Sequence, residues 1–328
     1  MAPGPASRPD ATLVGVTMIV ASVLMISFGD AVVKWISADL TLWQIFVTRS
    51  LLAIPLCLLV LGGLRQAVAI GPGNAGWVFL RCLLQMTMWI ALYVSLPLLS
   101  LPVAAAAMYT APLFIAFFSA ILIGEPVGPR RGLAIAMGFV GVLIVVKPGS
   151  DAFSYATLLP ILAAVCYALA MIITRGRCQN ESPFVLALCL NAMLLASGMV
   201  ASGGVALLDF SPQTAAVSPF VLGPWVALSG QDWALMAVLA VLIVGAAAAA
   251  AKAYQSGPPV IVATFDYSYL IFAIVWSALF FSELPDRETL VGMAVIFAAG
   301  LLVLPKPRTR PDEALLRGRG GERKGMRP

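Results

Sequence analysis

The sequence contains little charge for its length and no histidine. Of its 328 residues 11% are charged, 61% are hydrophobic, and the mean hydropathy is +0.98. Charged residues make up about a quarter of an ordinary globular domain. The composition therefore excludes a water-soluble fold and indicates a protein that lies in lipid. Because histidine is absent, a proton relay would have to use carboxylates, tyrosines or water.

Cysteine is also scarce, and its five residues do not show the spacing of a metal site. Their number is odd and most of them lie in apolar stretches, so we expect small buried side chains rather than disulfides. The sequence shows no Gly-rich phosphate loop and no nucleophile–base pair. It therefore predicts no cofactor, no bound metal and no enzymatic activity.

Long apolar runs are abundant instead. A helix needs roughly 20 mainly apolar residues to cross a bilayer. Backbone exposed to lipid must satisfy its hydrogen bonds within its own segment, and the alternation typical of a membrane barrel is absent. The predicted fold is an all-α integral membrane protein with ten transmembrane helices. The predicted spans are 12–38, 40–62, 76–98, 102–124, 131–148, 154–175, 183–207, 232–254, 258–281 and 288–305.

One membrane segment occurs twice in similar form. Residues 103–125 read VAAAAMYTAPLFIAFFSAILIGE, and residues 261–283 read IVATFDYSYLIFAIVWSALFFSE. Aligned without a gap, Tyr109 falls on Tyr267 and the closing glutamates coincide. The similarity continues into a Lys-Pro pair after each copy. We interpret this pattern as an internal duplication.

Each copy belongs to a unit of five predicted helices, residues 12–149 and residues 150–307. Because five is odd, the second unit must cross the membrane upside down relative to the first. Arg130 and Arg131 follow the first copy, whereas the loop after the second copy carries Asp286, Arg287 and Glu288. Basic residues mark the cytoplasmic side, so the charges agree with inversion. Two inverted five-helix repeats are typical of secondary transporters.

The residues outside the two units are polar. Residues 1–11 form a short predicted tail, and residues 308–328 form a basic tail that we expect to be disordered. The positive-inside rule places both tails in the cytoplasm. We expect the inner membrane of a bacterium, with the bilayer and a small-molecule substrate as partners. Nucleic acid is not expected, and a monomer and a homodimer both stay open.

Several features of the two units occur together in one known family. They are the ten-helix layout, the Lys-Pro pair after each copy, and the residues Gly124-Glu125, Ser282-Glu283, Gly141 and Gly300. In these features the sequence resembles the drug/metabolite transporter superfamily, in its EamA-domain branch. The resemblance covers about residues 12–307 as two tandem domains. It implies transport of small polar metabolites such as amino acids, nucleosides, vitamins, S-adenosylmethionine or nucleotide sugars.

Two ionisable residues face each other in the first unit. Asp30 and Arg49 lie at matching depth on predicted antiparallel neighbours, and Lys34 lies one helical turn from Asp30. Ionisable groups inside a membrane are costly, so each is a functional candidate. Two interpretations stay open. Asp30 and Arg49 form a clamp between two helices, or Arg49 contacts a substrate carboxylate or phosphate while Asp30 holds it.

Asp266 is the ionisable candidate in the second unit. Its counterpart in the first copy is Met108, so the charge occurs in one half only. Such asymmetry suits a site that binds one oriented substrate. Asp266 is therefore a candidate for holding a cationic substrate group or for carrying a coupled proton. The structural alternative is a buried carboxylate that Lys252, Tyr254 or helix-end donors across the short hairpin satisfy.

Aromatic and polar side chains supply the remaining candidates. Tyr109, Tyr267 and Tyr269 offer hydroxyls and ring faces for a planar ligand. A spacing of four keeps residues on one face of a helix, which predicts either a cavity wall or helix packing. The third predicted span carries such residues at this spacing: Arg81, Gln85, Trp89 and Tyr93.

The sequence thus predicts a secondary transporter that moves a small polar metabolite by alternating access, with Asp266 as the candidate for proton coupling. The alternative is an intramembrane aspartyl protease that uses Asp30 and Asp266 as paired carboxyls. Its Gly-x-Gly-Asp and Pro-Ala-Leu segments are absent from the sequence, and an inverted repeat is not expected for it. The candidate substrate-binding residues are Asp30, Arg49, Gln85, Trp89, Tyr93, Tyr109, Asp266, Tyr267 and Tyr269.

Overall fold

The computed structural model describes residues 9–122, 129–147, 154–208, 210–256, 262 and 265–303. Within these ranges the regular elements are all helices. Gly124-Glu125 and the basic tail 308–328 lie outside the described residues. The helices are α1 (Pro9–Ile36), α2 (Leu42–Gly63), α3 (Ala75–Ser95), α4 (Leu101–Met108), α5 (Ala111–Leu122), α6 (Pro129–Val146), α7 (Leu158–Arg177), α8 (Pro183–Leu208), α9 (Pro212–Val217), α10 (Pro219–Leu222), α11 (Gly230–Ser256), α12 (Ser268–Phe281) and α13 (Arg287–Val303).

Among the described residues, six helices are long and apolar enough to cross a membrane, namely α1, α2, α3, α7, α8 and α11. Shorter apolar helices of 10–17 residues are Leu101–Ile115, Ala136–Val146 and Ser268–Phe281. Lengths of 20 residues or more match the thickness of the hydrocarbon core. The predicted all-α membrane class is therefore confirmed, and the protein crosses the membrane several times.

One predicted span is interrupted. The span expected at 102–124 is divided by a turn at Tyr109 and Thr110. Pro112 contributes to the break, because it has no N–H to donate to the carbonyl four residues before it. The Thr110 hydroxyl donates to the carbonyl oxygen three residues before it, at 2.8 Å. In the second copy a turn at Tyr267 likewise precedes α12, so neither span is one continuous helix.

The main helix contacts join the two halves of the sequence. The helices that contact each other most extensively are α1 with α11, α2 with α8, α3 with α7 and α6 with α13. In every pair one helix comes from residues 12–149 and the other from residues 150–307. α1 also contacts α12, and α5 contacts α7. The interior of the protein is therefore the interface between the two halves.

Two glycines let α6 and α13 approach each other closely. A Cβ atom on Gly292 would lie 2.8 Å from the carbonyl oxygen of Gly141 and 2.5 Å from Cγ2 of Val145. A Cβ atom on Gly141 would lie 3.0 Å from the carbonyl oxygen of Gly292. Small residues permit such backbone contacts between membrane helices. The close crossing of these helices depends on both glycines.

Substitution of Gly292 by alanine should destabilise the protein, because the added methyl group overpacks this contact. Overpacking costs about 1–3 kcal/mol. The unfolding temperature in detergent can be followed with a thiol-reactive dye, since four of the five cysteines are buried. Gly203→Ala is the control, because nothing lies within 4 Å of a Cβ atom at Gly203. Equal unfolding temperatures for the two variants would contradict the close crossing.

Candidate functional site

A cavity of about 80 Å³ lies between the two halves of the chain. It is referred to below as the central cavity. Apolar residues cover most of the wall, and a few polar and aromatic groups lie among them. These groups are Ser22, Asp30, Arg81, Gln85, Trp89, Tyr109, Tyr167, Thr174, Tyr254, Asp266 and Tyr269.

Asp30 lies in α1 and is buried in the wall of the central cavity. Its Oδ2 atom accepts a hydrogen bond from the hydroxyl of Tyr269 at 2.5 Å. Its Oδ1 atom is buried and has no hydrogen-bond partner. Tyr269 belongs to α12 and stacks on Tyr109, with ring centroids 4.6 Å apart and an interplanar angle of 24°. The second half of the chain thus holds a carboxylate of the first half.

Asp266 lies elsewhere on the same wall. It is buried, and its Oδ2 atom accepts a hydrogen bond from the hydroxyl of Tyr254 at 3.3 Å. Tyr167, on α7, also interacts with this carboxylate. Of the alternatives considered from the sequence, the donor present is Tyr254 rather than Lys252. Asp266 is therefore a buried carboxylate with tyrosine partners and, among the described residues, no cation within 4.0 Å.

The polar face of α3 extends from one end of the central cavity towards its middle. Arg81, Gln85 and Trp89 line the cavity. Nε of Arg81 donates to Oγ1 of Thr174 on α7 at 2.8 Å. Oε1 of Gln85 is buried without a hydrogen-bond partner. Tyr93 lies beyond the cavity, with its ring 5.1 Å from the ring of Trp89. Three of the four residues therefore form a cavity wall.

A second, much smaller pocket of about 10 Å³ adjoins the central cavity. We call it the side pocket, and its polar and aromatic lining consists of Asp30, Arg49, Trp89 and Tyr93. Arg49 is 1% exposed and donates from Nη1 to the hydroxyl of Tyr93 at 3.2 Å. Its Nε and Nη2 atoms are buried without a partner. Asp30 and Trp89 line both spaces.

Asp30 and Arg49 do not form the direct ion pair that the clamp interpretation requires. No Arg49 nitrogen lies within 4.0 Å of an Asp30 oxygen. Lys34, the other cation considered for Asp30, binds Glu283 at 2.9 Å instead and also donates to the carbonyl oxygen of Leu99 at 2.9 Å. Equal depth in the membrane predicted proximity correctly, but it did not determine the rotation of each helix.

The structure brings most of the candidate residues to two adjoining spaces. Tyr267 is the exception, because its ring lies between Tyr109 at 6.2 Å and Phe297 at 5.9 Å, outside both pockets. Its hydroxyl is buried without a partner. Arg49 and Tyr93 lie at the side pocket. The candidates at the central cavity are Asp30, Gln85, Trp89, Tyr109, Asp266 and Tyr269.

Three polar lining residues were not among the candidates from the sequence, namely Ser22, Tyr167 and Thr174. The signal at Tyr167 is a hydroxyl-bearing ring in the middle of an otherwise apolar span. Thr174 gives no such signal, because threonine is common in membrane helices. Among the described residues, no group of three His, Cys, Asp or Glu side chains is placed to hold a metal ion. The site therefore consists of hydroxyls, ring faces and a few buried charges.

Removal of the Tyr269 hydroxyl should destabilise the protein, because it takes a donor from the buried carboxylate of Asp30. Leaving a buried polar group without its partner costs about 1–3 kcal/mol. Tyr267→Phe is the matched control, since the Tyr267 hydroxyl has no partner to lose. Unfolding temperatures of the two purified variants provide the comparison. A Tyr269→Phe variant as stable as Tyr267→Phe would contradict the importance of the Asp30 contact.

Comparisons with known proteins agree with this architecture. Residues 13–147 match the model of the EamA-like transporter family. A riboflavin transporter of Rhizobium johnstonii is 28% identical over 312 residues, which cover 91% of this chain and 93% of that protein. An S-adenosylmethionine uptake transporter of Rickettsia felis is 26% identical over 207 residues, 61% of this chain and 62% of the relative. A pseudopaline exporter of Pseudomonas aeruginosa is 24% identical over 287 residues, with coverages of 87% and 94%.

A solved crystal structure that is 18% identical superposes with a TM-score of 0.60 and covers 96% of this chain and 100% of that chain. This likeness concerns the fold alone. Nothing in the comparisons supports the protease alternative, and the expectation that the chain is not an enzyme is confirmed. The chain is therefore a multi-pass membrane protein whose residues 13–147 match the EamA-like transporter family.

Proposed function

We propose that this chain is a secondary transporter that carries a small polar metabolite with a planar ring through the central cavity. The observation that carries the proposal is the cavity itself. Its wall combines the stacked rings of Tyr109 and Tyr269 with buried polar groups that lack part of their hydrogen bonding. Specific sites for small ligands combine an apolar lining with a few polar groups in this way. Riboflavin is the first substrate to test, because several relatives are named riboflavin transporters.

We further propose that ten membrane helices form two inverted five-helix repeats. Counting α4 with α5 as the fourth helix and α12 as part of the ninth, the helix contacts suit a twofold relation. The pairs α2–α8 and α6–α13 join helices that the repeat makes equivalent, and the pairs α1–α11 and α3–α7 exchange with each other. The breaks at Tyr109 and Tyr267 also fall at equivalent positions. Broken helices at a site between inverted repeats are typical of secondary transporters.

Alternating access requires contacts that open at one end of the cavity at a time. One set of ion pairs lies where α12 ends, with Lys34 bound to Glu283 at 2.9 Å and Lys147 bound to Asp286 and Glu288. The hydrogen bond from Lys147 lowers the pKa of Asp286 to about 2, so this contact stays ionised at neutral pH. We assign this end to the outside of a bacterial inner membrane and both termini to the cytoplasm, because the loop charges favour that orientation.

Another contact set joins the loops on the side that we assign to the cytoplasm. The carboxylate of Glu181 accepts hydrogen bonds from the side chain of Asn74 at 2.7 Å and from the backbone N–H of Gly71 at 3.2 Å. Ser182 donates to the side chain of Gln66 at 2.7 Å. These bonds connect the loop between α2 and α3 with the loop between α7 and α8. In the proposed cycle the two contact sets break alternately.

Reconstitution into proteoliposomes tests the transport function directly. Wild-type protein should exchange external labelled riboflavin for internal unlabelled riboflavin. Trp89→Ala should reduce the rate at low substrate concentration about fivefold, because a lost aromatic contact costs on the order of 1 kcal/mol. Trp35→Ala is the control, since its ring is 48% exposed and lies outside both pockets. Failure of wild-type protein to transport riboflavin or any compound of a labelled metabolite pool would overturn the proposal.

Proton coupling through Asp266 is a separate part of the proposal. Asp266 lines the cavity, and its partners are tyrosines rather than a cation, so no neighbouring charge fixes its carboxylate in one state. Asp266→Asn should remove the response of transport to an imposed pH gradient and preserve exchange at equal pH. Asp39→Asn is the control, because that carboxyl is exposed. A gradient response that persists in Asp266→Asn would exclude this residue from coupling.

A further inference from the structure

Several polar atoms around the side pocket lack the hydrogen bonds that burial normally requires. They are Nε and Nη2 of Arg49 and Oδ1 of Asp30, and both residues are 1% exposed. A buried polar group without a partner costs about 1–3 kcal/mol, and a charged group costs more. Folding tolerates such atoms where a ligand or water completes them. The side pocket therefore contains unused donors and an unused acceptor.

The donors and the acceptor line the same small space but do not satisfy each other. No nitrogen of Arg49 lies within 4.0 Å of an oxygen of Asp30. Tyr93 and Tyr269 hold the other polar atoms of the two side chains, at 3.2 Å and 2.5 Å respectively. Tyr93 also interacts with the Asp30 carboxylate. Nε and Nη2 of Arg49 and Oδ1 of Asp30 still have no hydrogen-bond partner and can bind a third group. That group must accept hydrogen bonds from Arg49 and donate one to Asp30.

The charges restrict the group further. Arg49 and Asp30 carry opposite charges, so their fields largely cancel for a ligand between them. A phosphate would be repelled by Asp30, and an ammonium group would be repelled by Arg49. A neutral group with a donor beside an acceptor satisfies both side chains without repulsion. A ring carbonyl next to a ring N–H, as in a lactam or imide, has this arrangement.

The position of the side pocket connects this chemistry to the central cavity. The two spaces share the wall residues Ile26, Asp30, Trp89 and Ile243. A planar ring that packs against Trp89 in the central cavity would therefore lie beside the side pocket, within reach of Asp30. Gln85, one turn before Trp89 on α3, adds a buried acceptor without a partner on the cavity side.

We propose that the side pocket is a recognition subsite for the lactam or imide edge of a neutral heterocycle, with Arg49 donating to the ring carbonyl and Asp30 accepting from the ring N–H. This inference rests on the proposed function and specifies the substrate class of the same site. It assigns Arg49 to the substrate rather than to a clamp between helices. It also disfavours organic phosphates as substrates.

Two flavins that differ at a single ring nitrogen test the subsite. Riboflavin has an N–H between two carbonyls in its ring system, and 3-methylriboflavin carries a methyl group on that nitrogen. Purified wild-type protein in nanodiscs should bind riboflavin at least tenfold more tightly than 3-methylriboflavin, measured by quenching of flavin fluorescence. This comparison needs no variant and therefore does not depend on how a variant folds.

Arg49→Met supplies the second measurement, because it removes the donors and keeps a long apolar side chain. Its affinity for riboflavin should fall at least tenfold. Arg177→Met is the control, since Arg177 is exposed and contacts Trp77 away from both pockets. If Arg49→Met fails to fold, the flavin pair on wild-type protein still decides. If the variant folds and binds riboflavin like wild type, Arg49 has no substrate contact and the subsite is overturned.

The outcomes separate the subsite from the transport function. Equal wild-type affinity for the two flavins would overturn the subsite and leave flavin transport standing. Absence of flavin binding together with transport of another labelled metabolite would overturn the lactam assignment and leave the transporter standing. Absence of both would overturn the two proposals together. Preference for riboflavin together with a loss in Arg49→Met would support both.

Discussion

The hydrogen bond between Tyr269 and Asp30 determines the geometry of the site. It joins α12 of the second half to α1 of the first half, across the cavity, at 2.5 Å. It fixes the Tyr269 ring where it stacks on Tyr109, and it leaves the Oδ1 atom of Asp30 free at the side pocket. The aromatic wall and the unused acceptor therefore depend on the same contact.

Tyrosines hold the buried carboxylates, whereas ion pairs lie near the end of the bundle. Asp30 and Asp266 each accept a hydrogen bond from a tyrosine hydroxyl, and Lys34 binds Glu283 instead. A cation in direct contact would neutralise a buried carboxylate and leave less of its charge for a ligand or a proton. A neutral tyrosine hydroxyl donates a hydrogen bond to one carboxylate oxygen and leaves the negative charge available to a ligand or a proton. This division suits a site that must bind and release its substrate.

The sequence predicted the ends of several helices well, but it did not predict which side chains contact each other between helices. The thickness of the bilayer sets the length of an apolar run, so the ends of α2 and α8 were predicted to within two residues. Depth along a helix also follows from counting residues, which placed Asp30 level with Arg49. Rotation about the helix axis depends on tertiary contacts. The true partner of Asp30 is 239 positions away in sequence, and no local pattern indicates such a pair.

Tyr267 and Tyr269 also show that the sequence does not determine which side of a helix faces the cavity. Residues two apart on a helix point in directions about 200° apart, so only one of these rings can face the cavity, and the sequence does not say which. The repeat makes Tyr267 the counterpart of Tyr109, yet the neighbouring Tyr269 stacks on Tyr109 at the cavity. Under the proposed duplication, symmetry therefore governs the helix breaks and the packing. The polar contacts are not symmetric, and under the proposed function this asymmetry suits a site that binds one oriented substrate.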